Sequence, residues 1–451
     1  MFEVSNRLQS HTGSIVIITL GTQGDIRPLL GLAVGLQRRG HCVRMLTSIN
    51  FKHQIEREGV SFFQLTGNYE ELILSNPSLC DVGLDLMAMM QLTRKQMTTW
   101  SENWVDQGLV ACQGASLLLG TGNASLLATA LGERLGLPVA YAQLQPLTPS
   151  RYLPNMIMPT RSLPGLVKQG INQSLRLLAW HIMKPAINQI VRPQLGLKSY
   201  PWFGPYFYRN RDVRVLYGFS SQLIRRPLDW PDNAHICGYW RLEQASWEPP
   251  DDLLSFLSSG SPPIYVGFGS MPSTDARAFT QCIIAALEHC GLRAVLASGW
   301  GGLLADVVAD NPKRFFHLTD APHSWLFPRM AAAVHHGGAG TTGAALTAGI
   351  PSVVIPFYGD QPFWAHCLAQ REVAPPALTR RTLTPEILAR ALRQVCHPQM
   401  RERAKLIGQR VQQEDGIGSA ICQLMRWGIL PDCHPTRFER SPQQSSFATK
   451  S

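Results

Sequence analysis

The sequence predicts an α/β protein made of two doubly wound domains facing each other across a cleft. Three observations carry that expectation. The chain has 451 residues and is 45% apolar, more than a single core usually organises. A strand-turn-helix-strand unit opens at Ser14, and the same grammar starts afresh after Ser261. Strands alternating with helices in this way imply parallel sheets covered on both faces.

In order along the chain, SIVIITLG from Ser14 reads as a buried strand. A glycine-bearing turn and the helix PLLGLAVGLQRRG follow, with Pro28 suited to a first helical turn and Gly40 to a stop, and then the strand HCVRMLT. The pattern recurs as the strand ASLLLG, a helix from Asn123 to a stop at Gly136, and the strand PVAYAQL. From Pro146 to about Arg214 it loosens, and the proline-rich PLTPSRYLPNMIMPTRSLPG is expected to be an insertion lining the cleft, with domain packing as the equal alternative. RVLYGFS returns to strand character, and DWPDNAHICGYW through WEPPDD reads as a linker. Beyond it come a helix from Ala276 to His289, the strands RAVLAS, FFHL and AAAVHH, a helix from Thr341, and the strand PSVVIP. Thr384 to Leu430 is helical and long enough to return toward the first domain. The expected division is a disordered start at 1–13, a first domain at 14–230, a linker at 231–262, a second domain at 263–405, a returning helix at 406–430 and a disordered tail at 431–451.

Basic residues outnumber acidic ones 41 to 31, a net charge of +10, so the surface should attract phosphates or an anionic membrane face. The positive charges are scattered and not interleaved with aromatics, so no nucleic-acid partner is expected. Ten cysteines occur without a CxxC pair, which points to reduced thiols and away from disulfides or zinc. The opening MFEVSNRLQSHTG is too polar for a secretory signal, and no apolar run is long enough to span a bilayer. The expected location is therefore the cytoplasm, with peripheral contact at the inner membrane surface.

The segment VHHGGAGTTGAALTAGIPSVVIPFYGDQPFWA carries the strongest chemical signal. A strand ends at His335 and His336, and Gly337, Gly338 and Gly340 lead into a helix, whose N-terminal N–H groups attract a diphosphate. Thr341 and Thr342 add hydroxyl donors, and His336 lies nearer the helix opening than His335. The plainer readings are an ordinary strand-to-helix turn and a buried structural His335. Asp360 and Gln361 follow the next strand, at the edge where open α/β sheets bind ligands, and suit sugar hydroxyls; the plainer role for Asp360 is a helix cap. In LGTQGDIRP, Asp25 stands at the exit of the first strand, where a carboxylate can take a proton from an attacking hydroxyl, with Gly21 and Gly24 leaving room for the acceptor. Here too the competing role is a helix N-cap. This GxxGD is not the GxGxxG dinucleotide fingerprint, which disfavours a nicotinamide enzyme.

Together GTQGDIRPLLGLAVGLQRRGH, YVGFGSMP, SGWGG, PHSWLFPR and HHGGAGTTGAALTAGIPSVVIPFYGDQPFW closely resemble the sterol 3-beta-glucosyltransferases and their bacterial antibiotic-glycosylating relatives, over most of residues 14–400. The resemblance implies the GT-B fold, two Rossmann-like domains with the acceptor held by the first and the nucleotide sugar by the second. It implies Asp25 as general base, Ser270 beside the diphosphate, and His336, Gly338, Gly340, Thr341 and Thr342 as the phosphate loop. Asp360 and Gln361 would hold the sugar, Trp300 and His323 would lie near the nucleoside, and Gly24, Gln145 and Tyr152 would lie on the acceptor side, with Met156 and Met158 as apolar lining. Plant members open their donor signature with a tryptophan that stacks on uracil; this chain reads TDAPHSW there, and Trp325 is expected in helix core.

The activity implied is inverting transfer of a hexose from a nucleotide sugar, UDP-glucose first, to a hydroxyl of a lipophilic acceptor such as a sterol, with no metal and no cofactor. A natural-product enzyme using another UDP- or TDP-sugar on an antibiotic, carotenoid or flavonoid is the nearest alternative. A non-catalytic nucleotide or lipid carrier and a UDP-sugar epimerase are the alternatives of another class.

Overall fold

The computed structural model describes residues 13–76, 86–154, 156, 163–205, 213–242, 247–269, 275–299, 303 and 311–430. The expectations for 1–12 and 431–451 lie outside them. In the first lobe, β1 (Ser14–Ile18), β2 (Val43–Thr47), β3 (Ser61–Gln64), β4 (Ala115–Gly120), β5 (Val139–Gln143), β6 (Arg214–Tyr217) and β7 (Ala234–Ile236) form one parallel sheet in the order β3-β2-β1-β4-β5-β6-β7. Its helices are α1 (Gln23–Arg38), α2 (Lys52–Arg57), α3 (Tyr69–Leu74), α4 (Leu86–Ser101), α5 (Trp104–Ala111), α6 (Ser125–Leu135) and α7 (Gly165–Pro185).

The second sheet holds β8 (Ile264–Gly267), β9 (Ala294–Ala297), β10 (Phe315–Leu318), β11 (Ala332–His335) and β12 (Ser352–Val354), parallel throughout in the order β10-β9-β8-β11-β12. With it come α8 (Asp251–Ser258), α9 (Ala276–His289), α10 (His323–Leu326), α11 (Ala339–Ala348), α12 (Gln361–Gln370), α13 (Pro385–Val395), α14 (Pro398–Gln412) and α15 (Gly416–Arg426). In each sheet the strand order reverses, at β1/β4 and at β8/β11, and the crevice outside the carboxyl ends at such a reversal is where open sheets take ligands.

Strand alternation sorts the cores. Ile15 and Ile17 pack under α1 with Leu29, Leu32 and Leu36, while Val16 and Ile18 face Trp104, Leu127 and Leu131 on the other side. In the second lobe Ile264 and Val266 meet Ile283 and Leu287 of α9 and Leu388 and Leu392 of α13, and Tyr265 turns to Leu326 and Phe327. Gly40 and Gly136 follow α1 and α6 at φ +88° and +68°, the left-handed geometry of a helix stop.

Several boundaries differ from the sequence expectation. Helix α1 starts at Gln23, so Pro28 sits in its second turn and not its first. Helix α11 opens at Ala339 with Gly338 as N-cap, two residues before Thr341. The 231–262 segment is not a simple linker: β7 completes the first sheet and α8 packs Leu253 and Phe256 into the second lobe. The final helical stretch is three helices. α13 packs on α9 and α14 on α11, and only α15 crosses to the first lobe, where Ala420, Ile421 and Leu424 join the α1 core.

The insertion also differs. Its helix α7 lies along α4, and none of the described residues of 146–205 lines the cleft between the lobes.

Among the described residues, two stretches run between the lobes, 237–242 and 412–416. The two passages touch backbone to backbone: a Cβ on Gly416 would lie 2.5 Å from the carbonyl oxygen of Tyr239. Arg241 Nη2 donates to the carbonyls of Gln412 and Glu414 at 3.3 and 3.1 Å, and the Ser220 and Ser221 hydroxyls donate to Glu414 Oε1 at 3.0 and 2.9 Å. Among the described residues no helix is long and apolar enough to cross a membrane.

Candidate functional site

A cleft of about 1670 Å³ separates the lobes, and both sheet reversals open onto it. On the second lobe, β11 ends in two histidines with different roles. His335 is fully buried and its Nδ1 accepts the Gly337 N–H at 3.0 Å, so it shapes the loop from beneath. Gly337 has φ +90° and stands where a Cβ would press within 2.6 Å of Val354, which leaves glycine as the residue that fits. His336 faces the cleft, and its Nδ1 is enclosed with no hydrogen bond among the described residues. Burial pushes its pKa down to about 4, so the ring is neutral at pH 7. A Cβ on Gly338 would lie 2.4 Å from His336 Nε2; the glycine lets the imidazole cover the helix opening.

Gly338 has no side chain with which to cap α11, so the N–H groups of Ala339, Gly340 and Thr341 begin the helix without side-chain partners and on the cleft wall. An open helix end of this kind draws anions. Thr341 lines the cleft, but Thr342 is fully buried with its hydroxyl turned inward, so it stands behind the loop and not in it.

Opposite stands the N-terminus of α1, which is closed. Thr22 is its N-cap, and Asp25 occupies the third helical position, its Oδ2 accepting the Thr22 N–H at 2.9 Å and the Thr22 hydroxyl at 3.3 Å. Asp25 is therefore inside the helix and not ahead of it or at its N-cap, and it closes the end as the third-position partner of Thr22 in a capping box. Gly21 is needed by this carboxylate and not by an acceptor: a Cβ there would lie 2.3 Å from Asp25 Oδ2. The two helix ends approach closely, with a Cβ on Gly340 reaching within 3.8 Å of Gly24. Burial first, and the charge of Asp360 from across the cleft second among the raising causes, lift the Asp25 pKa to about 6.

Asp360 does not cap α12; its Oδ2 accepts from Trp364 Nε1 at 2.7 Å, and Gln145 of the first lobe hydrogen-bonds its side chain. Burial raises its pKa above the ordinary carboxylate value. Gln361 is nearly buried, and its Oε1 accepts the Phe357 and Tyr358 N–H groups at 2.6 and 3.1 Å, which fixes the loop that presents Asp360. His323 lines the cleft, stacked on Phe327 at 4.3 Å and bonded to the Tyr265 hydroxyl at 3.2 Å; burial drives its pKa down to about 3. Trp325 packs edge-on against Trp247 at 4.9 Å and lines no part of the cleft.

Of the acceptor-side candidates, Gly24 and Gln145 line the cleft, whereas Tyr152 is 56% exposed on the outer surface of the insertion. Met156 packs at the edge of an interior cluster and is not cleft lining. Ser270, Trp300 and Met158 lie outside the described residues. Sequence reasoning missed Tyr69 and Asn123, whose hydroxyl and amide meet at 3.5 Å beside Asp25. Burial lifts the Tyr69 pKa to about 12, so it is a hydroxyl donor at neutral pH. Asn123 follows β4, the partner of β1 at the sheet reversal, and that position was its signal.

Comparison with known proteins agrees with this arrangement. Residues 15–153 match the glycosyltransferase family 28 N-terminal domain, and residues 308–414 match the erythromycin biosynthesis protein CIII-like C-terminal domain. A sterol 3-beta-glucosyltransferase of Arabidopsis thaliana is 30% identical over 421 residues, covering 90% of this chain and 67% of the relative. One of Cryptococcus neoformans is 29% identical over 436 residues, 91% of this chain; the chain spans only 27% of that longer protein. Among solved structures, the glycosyltransferase of kitacinnamycin superposes with a TM-score of 0.63 at 17% identity, covering 93% of this chain and 99% of that one. CalG4, the calicheamicin glycosyltransferase, gives 0.62 at 16% identity over 92% and 98%. These structures share the two-lobed GT-B fold. By its likeness to the Arabidopsis relative over two thirds of that protein's length, the chain belongs to the sterol 3-beta-glucosyltransferase family.

Proposed function

We propose that this protein is an inverting glycosyltransferase that moves a hexose, glucose from UDP-glucose, onto a hydroxyl of a lipophilic acceptor such as a sterol. One observation carries the reading: a carboxylate poised near pH 6 and an open, glycine-lined helix end face each other in one cleft, from different lobes. The donor diphosphate lies on the N–H groups of Ala339, Gly340 and Thr341 under His336, and Asp360 meets the sugar. Asp25 takes the acceptor's hydroxyl proton as that oxygen bonds to the anomeric carbon; the bond from that carbon to the phosphate oxygen breaks, and UDP departs with the electron pair. Attack opposite the leaving group inverts the centre. Helix N–H groups and the neutral His336 stabilise the charge on the departing diphosphate, and this reading requires no metal.

The acceptor class rests on the sterol-glucosylating relatives, the chain's net charge of +10 and the exposed Tyr152, Leu166, Val167 and Trp202 on the insertion, an outer surface suited to peripheral contact with a cytoplasmic membrane face. The test is incubation with UDP-glucose, with and without a sterol mixture. Acceptor-dependent UDP release supports the transferase; isomerised nucleotide sugar without acceptor replaces it with an epimerase, and nucleotide binding without turnover with a carrier.

A further inference from the structure

Arg27 follows Asp25 by two residues on α1, about 200° around the helix. Asp25 faces Tyr69 and Asp360, whereas Arg27 lines the part of the cleft closed by Asp320 and His323, on the turn from β10 into α10. Glu58, just beyond α2, is the other acid near it. Among the described residues the half-buried Arg27 guanidinium makes no hydrogen bond and no ion pair. Burial works against its charge, and Asp320 and Glu58 support that charge from a distance. A guanidinium carries five N–H donors, and drawing it out of water with none of them used is unfavourable until an anion arrives.

The surroundings say which anion. Helix α10 packs on α11, and Asp320, His323, His336 and Gly338 line the same cleft wall, so the turn carrying Asp320 adjoins α11. The planar fork of arginine matches phosphate oxygens in pairs, which a sugar or sterol hydroxyl cannot exploit.

We propose that Arg27 is a donor-binding residue supplied by the first lobe, gripping the diphosphate of the nucleotide sugar that rests on α11 of the second. The donor site is then complete only across the cleft, and Asp320, near Arg27 but not paired with it, competes with the phosphate for its charge. This inference rests on the transferase reading above.

Calorimetric titration with UDP and with TDP tests it. Arg27→Gln should weaken whichever nucleotide the wild type binds by at least tenfold, and Arg27→Lys, which keeps charge without the fork, should fall between. Asp320→Asn should bind that nucleotide at least as tightly as wild type, because it removes a competing acid. If Arg27→Gln binds as wild type does, the inference fails alone. Equal weakening in Arg27→Gln and Asp320→Asn would make the two residues a structural brace between the lobes, and would overturn it too. A wild type that binds neither nucleotide overturns the transferase reading together with it. Where Arg27→Gln lowers the melting temperature, the lysine variant decides: intermediate affinity in Arg27→Lys alongside an unimpaired Asp320→Asn supports the phosphate contact, and loss in both overturns it.

Discussion

Asp25 joins three demands in one carboxylate: it closes a helix end, it sits half-buried, and it faces a second acid. Its pKa near 6 sets the sign of two pH effects. A base must be ionised, so kcat/KM should rise through about pH 6 and level off above it, and Asp25→Asn should lower kcat by roughly 10²–10⁴ while abolishing that limb. The raised value also means that the folded protein holds the proton more tightly than the unfolded chain. The cost of ionising it builds between the ordinary 3.8 and about 6 and is constant above. Asp25→Asn should therefore gain stability at pH 7.5, by at most about 3 kcal/mol before its weaker bonds to Thr22 are counted, and by less near pH 4, as read by thermal melting at both values. Gly338→Ala makes a separate test, since its Cβ would displace His336 from 2.4 Å. Donor KM should rise tenfold or more with folding intact, whereas Gly340→Ala, whose nearest neighbour would be Gly24 at 3.8 Å, should change it less.

Among the elements, the tie between α15 and α1 bears most on stability. Ile421 and Leu424 are buried against Leu29, Leu32 and Leu36, so Leu424→Ala should cost about 2–5 kcal/mol in urea unfolding. A loss below 0.5 kcal/mol would show that α15 is only loosely held. The strands were readable because buried parallel strands are short apolar runs: SIVII and AAVH announce themselves. Where the reading slipped, local signals competed. Pro28 looked like a helix start, yet the Thr22 and Asp25 caps move that start five residues earlier. β7 was hidden because AHI is three residues among Pro, Trp and Asp, and only pairing with β6 makes it a strand. Asp25, His336 and Asp360 were legible because each follows a strand at a sheet's carboxyl edge. Tyr69 and Arg27 were not: Tyr69 gains its place through Asn123, distant in the chain, and Arg27 through Asp320 of the opposite lobe, and no local pattern encodes either.

For the molecule as a whole, a donor site built from helix N–H groups and a neutral imidazole predicts activity that survives chelation. Sugar transfer measured in excess EDTA should stay within twofold of the untreated rate, and loss restored by a divalent cation would require a different account of leaving-group stabilisation. The paired passages at 237–242 and 412–416 have a mechanical consequence. Two spans of polypeptide pressed together at Gly238 and Gly416 act as a single pivot: sliding or twisting would shear both, while swinging about them shears neither. Opening about such a pivot is greatest at the rim remote from it and least beside it, so the acceptor proposed above would enter from the remote side. Wedging the pivot with Gly416→Val should narrow that swing, and scattering profiles with and without UDP should then differ less than they do for the unaltered protein.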